Sequence, residues 1–282
     1  MRLPPDGHWA TIVDFLTEIT GAPRAELLAR ASGGEIRLAG GGMVSPDTAY
    51  RGGGVVYLYR EVRPEPVVPF DLDVLYRDDD IIVVDKPPFL ATMPRGRHVT
   101  QTVVTRLRRD MALADVAPAH RLDRLTSGVL LLTLRPAVRA AYQTMFARGE
   151  VTKSYLALAP LSTSLAEPLT VANRIVKDRG QLQARVVPGE PNAITIVQLL
   201  EARGDLGLYK LRPHTGKTHQ LRVHCCGLAI PIRGDCLYPV VRDVPADDFS
   251  DPLRLLAQRL EFDDPLTGEL RVFTSRRSVD HG

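Results

Sequence analysis

Apolar positions recur with helical spacing over the first thirty residues and then give way to short runs rich in β-branched and aromatic side chains. The spacing predicts a helix near Trp9–Ile19 and a second near Pro23–Ala31, with Pro23 in the first turn. Short strands are predicted over Glu35–Leu38 and Val55–Tyr59, punctuated by tight turns at Gly33-Gly34 and Gly40-Gly41-Gly42. The run Val62-Arg63-Pro64-Glu65-Pro66-Val67-Val68-Pro69 cannot continue a helix and reads as a semi-rigid linker. Beyond it the pattern gives strands at Ile81–Val84 and Val129–Leu132, and a helical period over Pro136–Arg148 through Val138, Tyr142, Met145 and Phe146. Strands follow at Tyr155–Leu158, Ile194–Leu200 and Tyr209–Leu211, then a helix from Thr218 to near Gly227. Strands and helices mix irregularly, with no glycine-rich nucleotide fingerprint, so the expected class is α+β rather than a doubly wound sheet. The expected organisation is a small N-terminal module over 1–62, a linker over 63–72 and a large domain over 73–282.

Composition changes this picture little. The chain has 282 residues, 44% of them hydrophobic and 24% charged, as in an ordinary soluble globular protein. It has no apolar run long enough for a bilayer and no signal-peptide core at its N-terminus, so the expected compartment is the cytoplasm, without membrane partners. The three cysteines, Cys225, Cys226 and Cys236, are an odd number that argues against a disulfide framework. They also lack zinc-knuckle spacing, although His219 and His224 lie near them, and no metal site is expected.

Charge changes it more. The net charge is only +3, yet a basic stretch runs from Arg95 and Arg97 through Arg106, Arg108 and Arg109 to Arg121 and Arg124. Such a local excess favours a polyanionic partner through counterion release, although the same residues could be a solvated helix face around Thr102–Arg109.

The densest chemistry lies in HRLDRLTSG, from His120 to Gly128. Asp123 stands between Arg121 and Arg124, and flanking positive charge favours an ionised carboxylate, which suits a nucleophile better than a proton donor. The arginines are equally suited to phosphate. A surface ion pair of little energetic weight would read the same way. A hydrolytic triad of His120, Asp123 and Ser127 is a poor alternative, because Ser127 lacks the nucleophile-elbow pattern.

Two further clusters can join Asp123. Alternation along 153–159 puts Lys153, Tyr155, Ala157 and Ala159 on one face, so the Tyr155 ring has small neighbours. It could be a core tyrosine, or one that stacks on a base and moves a proton. In LRPHTGKTHQLRVH, from Leu211 to His224, His219 and Arg222 fall three residues apart on one side of the predicted helix. The helix start and Lys217 form a candidate anion site, and Arg222 is a candidate partner for a carboxylate.

Together, HRLDRLTSG, IIVVDKPPFLATMPRGRHV, KSYLALA and PHTGKTHQLRVHCCGLAIPIRGDCLYP resemble, in that order, the RluA-type family of RNA pseudouridine synthases. The resemblance covers roughly residues 73–275, and PLRLLAQRLEFDDPLTGE is similar to that family's closing block. It departs at Leu256-Ala257, where many members carry a histidine before the alanine.

The resemblance implies a mixed, largely antiparallel sheet with flanking helices and loops, and an isomerase that converts uridine in RNA to pseudouridine without cofactor or metal. It implies Asp123 as the catalytic aspartate acting on a flipped uridine, Tyr155 as the base-stacking tyrosine and Arg222 as the partner of Asp123. Arg121 would fill the gap left by the flipped nucleotide. His120, Arg124, Lys217, His219, Arg95 and Arg97 are expected on the RNA-binding side. The implied partner is ribosomal or transfer RNA, bound by a monomer with no obligatory protein partner. Residues 11–61 faintly resemble a small ribosomal-protein-like RNA-binding module. A non-catalytic RNA-binding protein that keeps the fold is the alternative.

Overall fold

Thr11 supplies the side-chain cap that starts the first helix, α1 (Ile12–Thr20). Its hydroxyl accepts the Asp14 N–H, while the Asp14 carboxylate accepts the Thr11 N–H, a reciprocal capping box. The cap puts the helix start three residues after the Trp9 expected from periodicity, and Trp9 instead packs its ring on Phe15 and Tyr50. Helix α2 (Arg24–Ser32) begins just after Pro23, which stands at the cap. Strands β1 (Ile36–Leu38) and β2 (Val56–Leu58) pair antiparallel. The two helices and the hairpin close on Leu3, Ile12, Phe15, Leu16, Leu27, Ile36 and Val56 as a separate small core.

The structure, a computed structural model, describes residues 1–58, 64–96 and 98–280, so the expected end of the second strand at Tyr59 lies outside the described residues. The chain divides into two units, Met1–Arg63 and Pro64–Gly282. The Pro-rich segment predicted as a linker is docked on the second unit from Glu65 onward. The Glu65 carboxylate accepts backbone N–H groups of Val99, Thr100 and Gln101 at 2.6–2.9 Å, and Val68 is buried in the core. Arg106 donates to the carbonyls of Val68 and Phe70, both at 2.6 Å. Proline excluded helix here, but these anchors supply the order a linker would lack.

In the second unit the elements run β3 (Asp73–Arg77), β4 (Ile81–Lys86), α3 (Val103–Asp110), β5 (Ala117–Pro118), β6 (Ser127–Thr133), α4 (Arg139–Arg148) and β7 (Thr152–Pro160). They continue as β8 (Leu169–Val176), β9 (Arg185–Val187), β10 (Ala193–Arg203), β11 (Leu206–Pro213), α5 (Gln220–Gly227), β12 (Leu255–Asp263) and β13 (Leu270–Thr274). The sheet order is β3-β4-β6-β12-β7-β11-β10-β8-β9, with β13 beside β12 and β5 beside β6. Among the described residues, every pairing between these strands is antiparallel except β6 with β12. The expected α+β class and largely antiparallel mixed sheet are thus what the structure has.

Strands β4 and β6 are buried along their whole length, which is why they read as continuous apolar runs. Strand β7 alternates, and Ala157 and Ala159 join the principal core with Tyr155 packed against it, as the face assignment predicted. The parallel contact between β6 and β12 is short, with Ser127 opposite Leu256 and Gly128 opposite Ala257. Gly128 has φ 108°, and a Cβ there would lie 2.3 Å from the Ala257 carbonyl oxygen. Only glycine allows this approach. Ser127 is the first residue of β6 and donates its hydroxyl to the Leu255 carbonyl at 3.3 Å. Among the described residues no helix is long and apolar enough to cross a membrane.

Candidate active site

The turn before β6 is anchored on all sides except at Asp123. Leu122 and Leu125 are buried in the core. The Thr92 hydroxyl accepts the Leu122 N–H at 3.2 Å and donates to the Leu122 carbonyl at 2.8 Å. The Asp123 carbonyl accepts the Thr126 N–H at 3.1 Å. From β4, Lys86 donates its ammonium to the carbonyls of Pro87, Leu90 and Arg124 at 2.9, 2.8 and 3.2 Å. Fixed backbone on either side leaves the Asp123 side chain as the projecting group, 31% exposed.

Two side chains of the 219–222 segment face that carboxylate. Arg222 Nη1 lies 3.6 Å from Asp123 Oδ2, and His219 Nε2 lies 3.9 Å from the same oxygen. Arg222 is only 2% exposed and its stronger partner is Asp235, 1% exposed. Its Nε donates to Asp235 Oδ2 at 2.7 Å and its Nη2 to Oδ1 at 2.6 Å. Burial pulls the guanidinium pKa down, but the hydrogen bonds and charge of Asp235, helped by Asp123, outweigh it and hold the group protonated. The expected pairing of Arg222 with Asp123 is therefore one arm of an Asp123–Arg222–Asp235 array.

His219 sits in the left-handed region, φ 58°, immediately before α5. Its Nδ1 is 2.9 Å from the Tyr238 hydroxyl, and burial lowers its pKa against the pull of Asp123. Tyr238 also lies under the Arg222 guanidinium, 5.2 Å from ring centroid to Cζ.

Tyr155 is flanked by Leu211 on β11 and by Ala257 on β12, so small Ala257 stands across from the ring. Burial first, and the Asp123 charge second, raise the phenol pKa well above its ordinary value. The hydroxyl is thus protonated at neutral pH and lies within electrostatic reach of the carboxylate. Lys86 experiences the opposite pair of forces, since burial lowers its pKa while Asp123 opposes that fall.

Other expected residues fall elsewhere. His120 stacks on Phe146 at 4.3 Å and accepts the Leu131 N–H through Nε2 at 3.2 Å. Burial holds it neutral, with a pKa near 3, and its Nε2 is committed to β6. Lys217 is exposed, and its backbone N–H is taken by the Gln220 side chain at 3.0 Å. The helix there starts at Gln220 rather than Thr218, so the anion site expected at its amides is partly filled by the protein itself. Arg121 and Arg95 are exposed. Arg124 stands over the Phe89 ring at 5.9 Å, and Arg97 lies outside the described residues. Within the basic stretch Arg106 serves the docked segment and Arg109 pairs with Asp110.

Sequence reasoning passed over Asp235, Tyr238 and Lys86. The signals were there: a single acid set among apolar residues in IPIRGDCLYP, and a lysine closing an apolar strand before two prolines. Each marks a polar group that burial obliges to find a partner. Cys225 is buried, its thiol pushed up to about 12 by that burial. Among the described residues no group of three His, Cys, Asp or Glu side chains could hold a metal ion.

The family model for RNA pseudouridylate synthase matches residues 80–226, the span that holds Lys86, Asp123, Tyr155 and Arg222. The chain is 32% identical over 216 residues to the dual-specificity RNA pseudouridine synthase RluA of Haemophilus ducreyi, covering 74% of this chain and 95% of that protein. It is 33% identical over 178 residues to human pseudouridylate synthase RPUSD2, covering 61% of this chain and 32% of the relative. The chain thus spans about a third of the length of the human protein. The solved structure of human RNA pseudouridylate synthase domain containing 1 superposes with a TM-score of 0.60 at 26% identity, covering 76% of this chain and 86% of that one.

Proposed function

From the premise that this chain belongs to the RluA-type family of RNA pseudouridylate synthases, the isomerases that convert uridine in RNA to pseudouridine, we propose that Asp123 is its nucleophile and acts on a uridine flipped out of ribosomal or transfer RNA. The observation that carries this reading is the Asp123 carboxylate itself, projecting from a turn pinned at Leu122 and Arg124 and facing Arg222 and His219.

The chemistry is internally balanced. The bond between uracil N1 and ribose C1′ breaks, the base turns while held, C5 joins C1′, and the C5 proton is lost as N1 gains one. Attack by Asp123 at C1′ or on the base makes the same demand, an ionised carboxylate with one oxygen unencumbered. Arg222 offsets the desolvation that a substrate-filled pocket imposes on that carboxylate. Tyr155 offers a stacking face with Ala257 and Ala157 beside it. Its phenol is held protonated in part by the Asp123 charge. Consumption of that charge in a covalent adduct removes this restraint and makes the phenolate, the form able to accept the C5 proton, more accessible at the stage when C5 loses it. Exposed Arg121 is suited to fill the flipped nucleotide's place in the RNA.

The test is release of tritium from RNA labelled at uridine C5. Parent protein releases label, and Asp123→Asn retains RNA binding but releases none. Release at the parent rate by Asp123→Asn would remove Asp123 from the reaction. RNA binding without release by the parent protein would favour the non-catalytic binder.

A further inference from the structure

Resting on Asp123 as the nucleophile, we infer that Asp235 is a positioning residue that makes Arg222 serve Asp123 through a single N–H. An arginine presents a planar fork that pairs with both oxygens of a carboxylate when it can. Directed at Asp123, such a fork would engage both of its oxygens and leave none free for the nucleotide. Here the fork is spent on Asp235, at 2.7 and 2.6 Å. Only Nη1 remains toward Asp123, at 3.6 Å from Oδ2.

Asp235 is itself fixed. Its Oδ1 accepts the backbone N–H groups of Leu237 at 2.8 Å and Tyr238 at 3.1 Å. With the Arg222 Nη2 bond these orient the carboxylate, which is 1% exposed. The same turn carries Tyr238, whose ring lies along the guanidinium and whose hydroxyl meets His219. One short segment therefore sets both groups that face Asp123. A second anion behind the arginine also divides its charge, so that Asp123 is oriented without being neutralised.

Single-turnover tritium release and RNA affinity separate this role from a purely structural one. In Asp235→Asn the two backbone N–H groups keep an acceptor oxygen, while the amide cannot take both fork contacts. The rate is expected to fall about 100-fold, the scale of a misplacement near 1 Å, with RNA affinity unchanged within about threefold. In an Arg222→Lys background no fork exists, so Asp235→Asn is expected to lower the rate less than about threefold further. A structural role would lower it by the same factor in both backgrounds, and that result would overturn the inference. So would a parent-like rate in Asp235→Asn. Should Asp235→Asn not fold, Asp235→Glu keeps the charge but moves the fork. Loss of rate at parent thermal stability then supports the role, and full rate refutes it. If Asp123→Asn remained active the proposed function would fail; if it were inactive while Asp235→Asn kept full rate, only this inference would.

Discussion

Gly128→Ala tests the close contact on which the Asp123 turn is seated. At φ 108° an alanine is strained, and its Cβ would stand 2.3 Å from the Ala257 carbonyl oxygen and 2.7 Å from the Ala257 nitrogen. Both obstacles are backbone, so no side chain can rotate away. Left-handed strain of about 1–2 kcal/mol adds to overpacking of about 1–3 kcal/mol, giving a loss of about 2–5 kcal/mol. For a unit of this size each kcal/mol moves Tm by about 2–4 °C, so a fall near 10 °C is expected in thermal melts followed by circular dichroism. The rate should fall as well, because Gly128 lies opposite Lys86 and Ala257 lies opposite Tyr155, and a shift near 1 Å can lower a rate about 100-fold. Gly216→Ala is the control, since nothing lies within 4 Å of where its Cβ would stand. A Gly128→Ala protein melting within about 2 °C of the parent would refute the argument.

Two predictions concern stability elsewhere. Burial raises the Glu65 pKa, but hydrogen bonds from Val99, Thr100 and Gln101 outweigh it and leave the folded value below the ordinary 4.5. The unfolded glutamate takes up its proton first as pH falls. The stability that Glu65 contributes is therefore full above about pH 4.5 and is lost as pH drops through the lower folded value. Melting temperatures of the parent and Glu65→Gln should differ at pH 7 and converge toward pH 3; a constant gap would contradict this. Tyr142 donates its buried hydroxyl to Asp264 at 3.0–3.1 Å, so Tyr142→Phe should cost about 1.5–3 kcal/mol in denaturant titrations while tritium release is unchanged. Equal stability would show that the bond contributes nothing net.

Most central elements were legible because burial imposes a pattern on sequence. Continuous apolar runs gave β4 and β6, alternation gave β7, and a 3.6-residue period gave α4. Strands β8 and β12 were not read, since β8 is a mixed, largely exposed strand and β12 mixes buried and half-buried positions without steady alternation. The site was legible through its motifs, which brought Asp123, Tyr155 and Arg222 forward as a group. Asp235 was not, because its bond to Arg222 depends on a turn thirteen residues further on, and a lone acid announces no partner. The surroundings of His120 were not legible either: in sequence it stands beside Arg121, whereas in space it meets Phe146 and the Leu131 amide.

The parallel contact of β6 with β12 also constrains when activity can arise during synthesis. Ser127 and the Leu255 carbonyl it meets are 128 residues apart in the chain, so the seat for the Asp123 turn cannot exist before Leu255 has been made. Contacts of such long range close slowly, because the loop entropy between them must be overcome first. A nascent chain that already displays HRLDRLTSG and the Tyr155 strand therefore has the chemical groups but not their alignment. Alignment of those groups therefore waits for β12, the strand that carries Leu255 and Ala257.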